Sequence, residues 1–130
     1  KLSSEITFKK FINSINISRK KLLIILKKYK RLGKTIHCYG ASTKGNVLLQ
    51  YFKIDNKLID FTAERNKRKF NLYTPGTKIK IISEALSRFY KPDYYLVLPW
   101  HFKKEILKRE KKIMKKGTKF IFPLPKLKII

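Results

Sequence analysis

The chain has 130 residues, and its 33 Lys and Arg against 8 Asp and Glu give a formal net charge of +25. This length suits one domain. Because 43% of the residues are apolar and 13% aromatic, the chain can build a core, which argues against a disordered polybasic tail. The single cysteine, Cys38, cannot form an internal disulfide, so we expect a reducing, cytoplasmic compartment.

Hydropathy gives no sign of a membrane segment. No apolar run approaches the roughly 20 residues that span a bilayer, and no apolar signal-peptide region is present. We therefore predict no membrane partner. The first residue is Lys rather than Met, so we expect the sequence to be part of a longer protein.

A large positive charge is typical of proteins that bind nucleic acid, but the kinds of basic residue in this chain argue against that function. Of the 33 basic residues, 27 are Lys and 6 are Arg, whereas readers of base edges favour the bidentate guanidinium. The lysines are spread along the whole chain, and no zinc-finger spacing, basic-zipper heptad or aromatic RNA-binding signature is present. This pattern favours solvated surface lysine over a dedicated nucleic-acid interface, leaving only non-specific charge attraction.

Residues 1–17 have a mixed pattern that predicts no definite element, and an amphipathic helix is expected after them. Ser18 is a favourable N-cap and Gly33 a favourable stop, which predicts a helix over 18–32. Four apolar residues share one face of it at helical spacing: Leu22, Ile25, Leu26 and Tyr29. We expect residues 1–33 to lead in from a preceding domain, and residues 34–130 to form the main domain.

Strands and helices alternate through the rest of the chain. The patterns predict strands over 35–39, 57–61, 79–82, 94–98 and 120–122. They predict helices over 46–52, 83–89 and 102–116, with 62–78 as a polar loop. This order predicts an α/β fold, namely a Rossmann-like, mostly parallel, doubly wound sheet of four to six strands with flanking helices.

The turn after the first strand is the first chemical signal, and its sequence is Gly40-Ala41-Ser42-Thr43-Lys44-Gly45. Backbone N–H groups at a helix N-terminus can hold a phosphate, and the hydroxyl groups and Lys44 would add donors. The spacing matches neither G-x-G-x-x-G nor a Walker A loop. A turn that needs small residues for packing therefore stays an equally open interpretation.

The polar loop after the second predicted strand contains a single acidic residue. Glu64 lies 24 residues after Gly40, and Arg65 and Asn66 follow it. An acid at about this distance holds a ribose hydroxyl in dinucleotide folds. A solvated loop acid is the alternative, and the residues alone favour it.

The segment Pro99-Trp100-His101-Phe102 stands where another strand gives way to a helix. Ligands of open α/β sheets bind outside such strand ends, so His101 is a candidate acid, base or hydrogen-bond donor. A structural role is the favoured alternative for His101, and more strongly for His37. One cysteine and two histidines cannot close a zinc site without several carboxylates, so we predict no metal.

Five blocks occur in a fixed order: Tyr39-Gly40-Ala41-Ser42-Thr43-Lys44-Gly45-Asn46, Glu64-Arg65-Asn66, Tyr73-Thr74-Pro75-Gly76-Thr77, Pro92-Asp93-Tyr94-Tyr95 and Leu98-Pro99-Trp100-His101-Phe102. Together they resemble the C-terminal domain of the sugar C-methyltransferase family over about residues 20–125. The chain departs from the family at three positions. Glu64 stands where the family often has Asp, Lys67 where it has Pro, and Asn71 near its Gly.

The resemblance implies a division of labour between domains. An upstream domain of the same parent chain would bind S-adenosylmethionine and carry the catalytic base, with no cofactor and no catalytic residue in this chain beyond His101 as a minor candidate. The present domain would face a nucleotide-linked keto-sugar, with the glycine turn at its diphosphate. The expected substrate-binding residues are Gly40, Ala41, Ser42, Thr43, Lys44, Gly45, Glu64, Arg65, Asn66, Tyr73, Thr77, Trp100 and His101.

Two other interpretations stay open. One is a Rossmann-like module that binds a nucleotide or phosphate without a methyltransferase partner. The other is a basic domain that associates with nucleic acid, for which steep salt dependence without nucleotide preference would be the sign.

Overall fold

The computed structural model describes residues 2–130, with side chains from residue 3 onward. Within that range the α-helices are α1 (Leu2–Arg31), α2 (Thr43–Phe52), α3 (Glu84–Tyr90), α4 (Lys103–Arg109) and α5 (Lys111–Lys115). The strands are β1 (Ile36–Tyr39), β2 (Phe61–Glu64), β3 (Ile81–Ser83), β4 (Tyr94–Val97), β5 (Lys119–Phe122) and β6 (Lys128–Ile129). Short 3-10 turns occupy Lys67–Lys69 and Trp100–Phe102.

The six strands form one sheet in the order β3-β2-β1-β4-β5-β6. Strands β1 to β5 pair in parallel, and β6 pairs antiparallel with β5. This confirms the predicted α/β, Rossmann-like class, since the order is that of the doubly wound dinucleotide fold. The direction of winding reverses between the neighbours β1 and β4.

Each face of the sheet is covered by its own helices. Along β1, Ile36 and Cys38 point to one face, where they pack with Leu26 of α1 and Leu49 of α2. On the opposite face Tyr39 packs with side chains from β4, β5 and the α4–α5 segment. Every residue of β1 is buried, as expected for a parallel strand with helices on both sides. Cys38 is a free thiol inside this core.

Helix α1 is longer than its sequence signals predict. It begins at Leu2, and Ser18 is a buried residue inside the helix rather than its N-cap. The apolar stripe continues toward the N-terminus through Ile15, which packs on the core, and Ser18 is a small buried residue on the same stripe. None of the helices in residues 2–130 is long and apolar enough to cross a bilayer.

The second strand lies four residues later than predicted. Leu58 and Ile59 are apolar enough for a strand, but Asp55 holds the residues before them in a turn and Asp60 binds the start of β1. The carboxylate of Asp55 accepts the N–H of Lys57 at 2.9 Å, and Asp60 accepts the N–H of Ile36 at 2.9 Å. The strand therefore begins at Phe61, and residues 62–64 belong to it rather than to the predicted loop.

The other boundary errors have local causes. Strand β3 begins at Ile81 because Lys80 pairs antiparallel with Tyr73 before it. Helix α2 begins at Thr43 rather than Asn46, with Ser42 as its N-cap. The predicted helix over 102–116 is interrupted at Glu110, whose side chain is drawn into the core. Ser83 caps α3 as predicted, accepting the N–H of Leu86 at 3.0 Å.

Candidate functional site

The reversal between β1 and β4 creates a crevice at the carboxyl edge of the sheet. Two loops leave the edge here in opposite directions, the glycine turn after β1 and the segment after β4. They start side by side, since the N–H of Leu98 donates to the carbonyl of Tyr39 at 3.2 Å. Open α/β sheets bind their ligands at such a switch point.

A pocket of about 590 Å³ lies in this crevice, and we call it the switch-point pocket. The glycine-turn side contributes Ser42, Thr43 and Lys44. The β4 side contributes Trp100 and His101. Five of the thirteen predicted substrate-binding residues therefore line one pocket, although they come from separate parts of the sequence.

The remaining lining residues are Leu48, Leu98, Pro99 and Phe102. They were not among the predicted site residues, although three of them stand beside Trp100 in sequence. Their apolar side chains give the pocket a mostly hydrophobic wall with a few polar groups at one end. That composition is common in small-molecule sites.

Both glycines of the turn are required by close packing. Gly40 has a φ of +91°, and a Cβ there would lie 3.2 Å from Cδ of Pro99. A Cβ on Gly45 would lie 2.9 Å from Cβ of Leu98. The packing explanation of these glycines is therefore correct, and the same close approach brings the start of α2 against the pocket.

The N-terminus of α2 offers hydrogen-bond donors to this pocket. The Ser42 hydroxyl accepts the N–H of Gly45 at 3.1 Å and so caps one donor of the first turn. The N–H groups of Thr43 and Lys44 have no acceptor within the helix, because they belong to its first turn. That turn holds no acidic residue, and the Lys44 side chain is exposed. The helix dipole and Lys44 together make this end attractive to an anion.

The backbone of Ala41 is held by two side chains from the loop after β2. Glu64 Oε1 accepts the Ala41 N–H at 3.1 Å, and Lys69 Nζ donates to the Ala41 carbonyl at 3.0 Å. This pair, which we call the Ala41 brace, fixes the glycine turn from the side away from the pocket. No spacing rule points to Lys69, so this residue could not be predicted from the sequence.

The Glu64 carboxylate accepts three backbone N–H groups of its own surroundings. Its Oε2 accepts the N–H groups of Arg65 and Asn66, each at 2.8 Å, besides the contact of Oε1 with Ala41. The Arg65 side chain pairs with Glu84 at 3.3 Å. The Asn66 side chain caps the next turn by accepting the N–H of Arg68 at 3.1 Å. These three predicted residues support the loop and do not line the switch-point pocket.

Tyr73 and Thr77 lie toward the amino edge of the sheet, away from the switch-point pocket. Tyr73 pairs with Lys80 ahead of β3 and is exposed. Thr77 is buried, and its hydroxyl bonds to that of Thr74 at 2.5 Å. The intervening Pro75-Gly76 turn is tied to the C-terminal part of α2 by Gln50, which donates to the Pro75 carbonyl at 2.8 Å. The structure therefore does not bring this block to the predicted site.

The two histidines lie in opposite environments. His101 is exposed, and its ring lies 4.3 Å from that of Phe102 and 5.6 Å from that of Trp100, centre to centre. His37 is buried on the α3 side of the sheet, with Nδ1 2.7 Å from the Ser87 hydroxyl. Burial lowers the pKa of His37 to about 4. His37 is buried and does not line the switch-point pocket, which suits a structural role.

A second polar cluster lies on the same face as His37. Glu110 is buried, and its carboxylate accepts hydrogen bonds from the Tyr39 hydroxyl at 2.7 Å and from two nitrogens of Arg88 at 2.7 and 2.9 Å. Arg109 also donates to the Tyr39 hydroxyl. Burial alone would raise the pKa of Glu110, but the hydrogen bonds from Arg88 and Tyr39 outweigh it and lower that pKa. In the part of the chain that the structure describes, no group of three or more metal-ligating side chains is present.

Comparison with known proteins defines the class. Residues 1–125 match the sequence profile of the family described as the C-methyltransferase C-terminal domain. The chain therefore belongs to this family of C-methyltransferase C-terminal domains.

One relative shows what fraction of such a protein this chain matches. The chain is 37% identical over 98 residues to the C-methyltransferase NovU of Streptomyces niveus. The alignment covers 75% of this chain and 23% of that relative. The match thus spans about a quarter of the length of the relative.

Proposed function

We propose that this chain is the substrate-side domain of an S-adenosylmethionine-dependent C-methyltransferase that acts on a nucleotide-linked keto-sugar. The observation that carries the proposal is the switch-point pocket, where Ser42, Thr43 and Lys44 meet Trp100 and His101. Family membership supplies the reaction class. The N-terminus of α2 would hold a phosphate of the substrate diphosphate, because its free N–H groups and Lys44 face the same space.

The methyl donor belongs to a preceding domain in this proposal. In Rossmann folds the acid after β2 holds a ribose hydroxyl of the bound nucleotide. In this chain that acid is Glu64, whose carboxylate already accepts three backbone N–H groups. With three of its roughly four acceptor sites already taken, Glu64 is poorly suited to bind the ribose of S-adenosylmethionine.

The residues of this chain would bind and orient the substrate. The start of α2 fixes the anionic linker, while Leu48, Leu98 and Phe102 exclude water from the part of the ligand beside them. Holding a ligand in one pose lowers the entropic cost of a reaction that a neighbouring domain carries out. Substrate positioning is thus the contribution that the geometry supports.

The test is a calorimetric titration of the chain with a uridine diphosphate sugar. We expect Lys44→Ala to weaken binding by roughly tenfold, because one charge-assisted contact to phosphate is lost. Lys57→Ala is the matched control, since it removes the same charge from an exposed position near the amino edge. Equal affinities of the two variants would refute the placement of the phosphate at α2.

A further inference from the structure

A second pocket, of about 420 Å³, adjoins the switch-point pocket at the carboxyl edge of the sheet. Trp100 and His101 line both pockets and therefore lie where the two meet. The far side is formed by Lys103 at the start of α4 and by residues after β5, including Lys126 and Lys128. We call this second cavity the lysine pocket.

The lysine pocket is strongly cationic. Three of its lining residues are lysines, and within the described residues none of its lining residues is acidic. By comparison, the larger switch-point pocket contains one lysine, Lys44. Like charges that face one cavity repel each other, so an anion bound between them relieves an unfavourable interaction.

Aromatic surface accompanies this charge. The Trp100 ring and Phe122 both line the lysine pocket. The Lys103 ammonium lies 5.5 Å from the centre of the Phe122 ring, which holds the charge beside the cavity wall. Cations next to a flat aromatic surface suit a ligand that carries both a phosphate and a planar base.

We infer that the lysine pocket is the subsite for the nucleoside phosphate half of the ligand. This inference rests on the proposed function, because it extends the same bound molecule past Trp100 and His101. The phosphate that bears the sugar stays at the N-terminus of α2, and the phosphate that bears the nucleoside faces Lys103 and Lys128. The base then lies against the Trp100 ring.

The test compares two probes, uridine diphosphate and inorganic diphosphate, by calorimetric titration at low and at physiological ionic strength. The variant is Lys103→Ala with Lys128→Ala, and the matched control is Lys115→Ala with Lys116→Ala. The control removes the same charge from exposed residues at the end of α5, near the amino edge. If the alanine variant folds poorly, Lys103→Gln with Lys128→Gln replaces it, because glutamine keeps most of the side-chain length and removes the charge.

We expect the wild type to bind uridine diphosphate more tightly than inorganic diphosphate. The Lys103 and Lys128 double variant should weaken both probes by roughly tenfold or more, because uridine diphosphate and inorganic diphosphate both carry the second phosphate that faces these lysines. The control should change neither by more than about twofold, because distant surface charges are screened.

Each contrary result has a separate meaning. If the control loses as much affinity as the variant, general charge attraction explains binding and the subsite is refuted. If the variant binds uridine diphosphate like the wild type while Lys44→Ala does not, the subsite is wrong and the proposed function stands. If Lys103→Ala with Lys128→Ala weakens binding while Lys44→Ala has no effect, the subsite stands and the placement at α2 fails. If the wild type binds neither probe, both proposals fail.

Discussion

The two faces of the sheet are built from different interactions. The face under α1 and α2 packs mainly aliphatic side chains, such as Leu26, Leu49 and Ile54, with Phe52 among them. The face under α3, α4 and α5 buries two polar clusters, one around His37 and one around Glu110. The first face gains stability from the apolar area removed from water. The second depends on every buried polar group finding its partner.

This difference gives the second face a fixed geometry. Tyr95, Ser87 and His37 form a continuous chain of hydrogen bonds across β4, α3 and β1, with distances of 2.6 and 2.7 Å. Glu110 joins the α4–α5 segment to Arg88 of α3 in the same way. Such contacts fix one register, whereas an aliphatic face tolerates rearrangement more readily. The second face should therefore be the more sensitive to the loss of a single polar atom.

The largest effect is expected from removing Glu110. Glu110→Ala leaves the Tyr39 hydroxyl without its acceptor and Arg88 with only Glu84 for a partner. We expect the free energy of unfolding to fall by about 3 kcal/mol, measured by urea denaturation. Glu105→Ala is the control, because Glu105 is an exposed acid on α4. Similar losses in both variants would show that the cluster adds nothing specific to this face.

The next effect is a dependence of stability on pH. The pKa of buried His37 is about 4, against an ordinary value of 6.5. Between these values the folded state binds fewer protons than the unfolded state, so the free energy of unfolding falls as the pH is lowered from about 6.5 to 4. The His37 contribution amounts to about 3 kcal/mol over that window, with no further loss below it.

Denaturant titrations at several pH values measure this slope. His37→Gln keeps a side chain that can bond to Ser87 but cannot titrate, so its curve should lack the His37 part of the slope. Identical slopes in the variant and the wild type would mean that His37 is not the group responsible.

The smallest change in stability is expected at the carboxyl edge, outside both faces. Lys69→Met removes one half of the Ala41 brace, and Lys69 is only half-buried. We expect a loss of about 1 kcal/mol in unfolding free energy, and a several-fold loss in affinity for a uridine diphosphate sugar. Exposed Lys67→Met is the control. Unchanged ligand affinity in Lys69→Met would show that the brace does not position the glycine turn.

Parts of the fold were predictable because their signals are local. The apolar runs of β1 and β4 place these strands to within one residue. The shift of β2 was not predictable in this way, because Leu58 and Ile59 have the hydrophobicity of a strand and pack as loop residues. Asp55 and Asp60 cause that difference through contacts that only the folded chain makes.

The candidate site was predictable to a similar extent. Ser42, Lys44, Trp100 and His101 follow strands whose carboxyl ends meet at one edge, so their convergence follows from the strand order. The Ala41 brace depends instead on Lys69, which reaches the turn from 28 residues away. The lysine pocket likewise depends on how the segment after β5 folds back toward Trp100. Both contacts join residues that are distant in the sequence, so no spacing rule predicts them.

The acidic residues are few, and most of them hold the fold together. Six of the eight accept hydrogen bonds from backbone or side-chain donors: Asp55, Asp60, Glu64, Glu84, Asp93 and Glu110. Most lysines instead cover the outside of the molecule. We therefore expect the basic surface residues to tolerate substitution much better than the acidic residues do. We expect many surface lysines to be replaceable without unfolding the domain, so the net charge of +25 can change between related sequences. The six carboxylates should be replaced far less often, because each one is part of the folded structure.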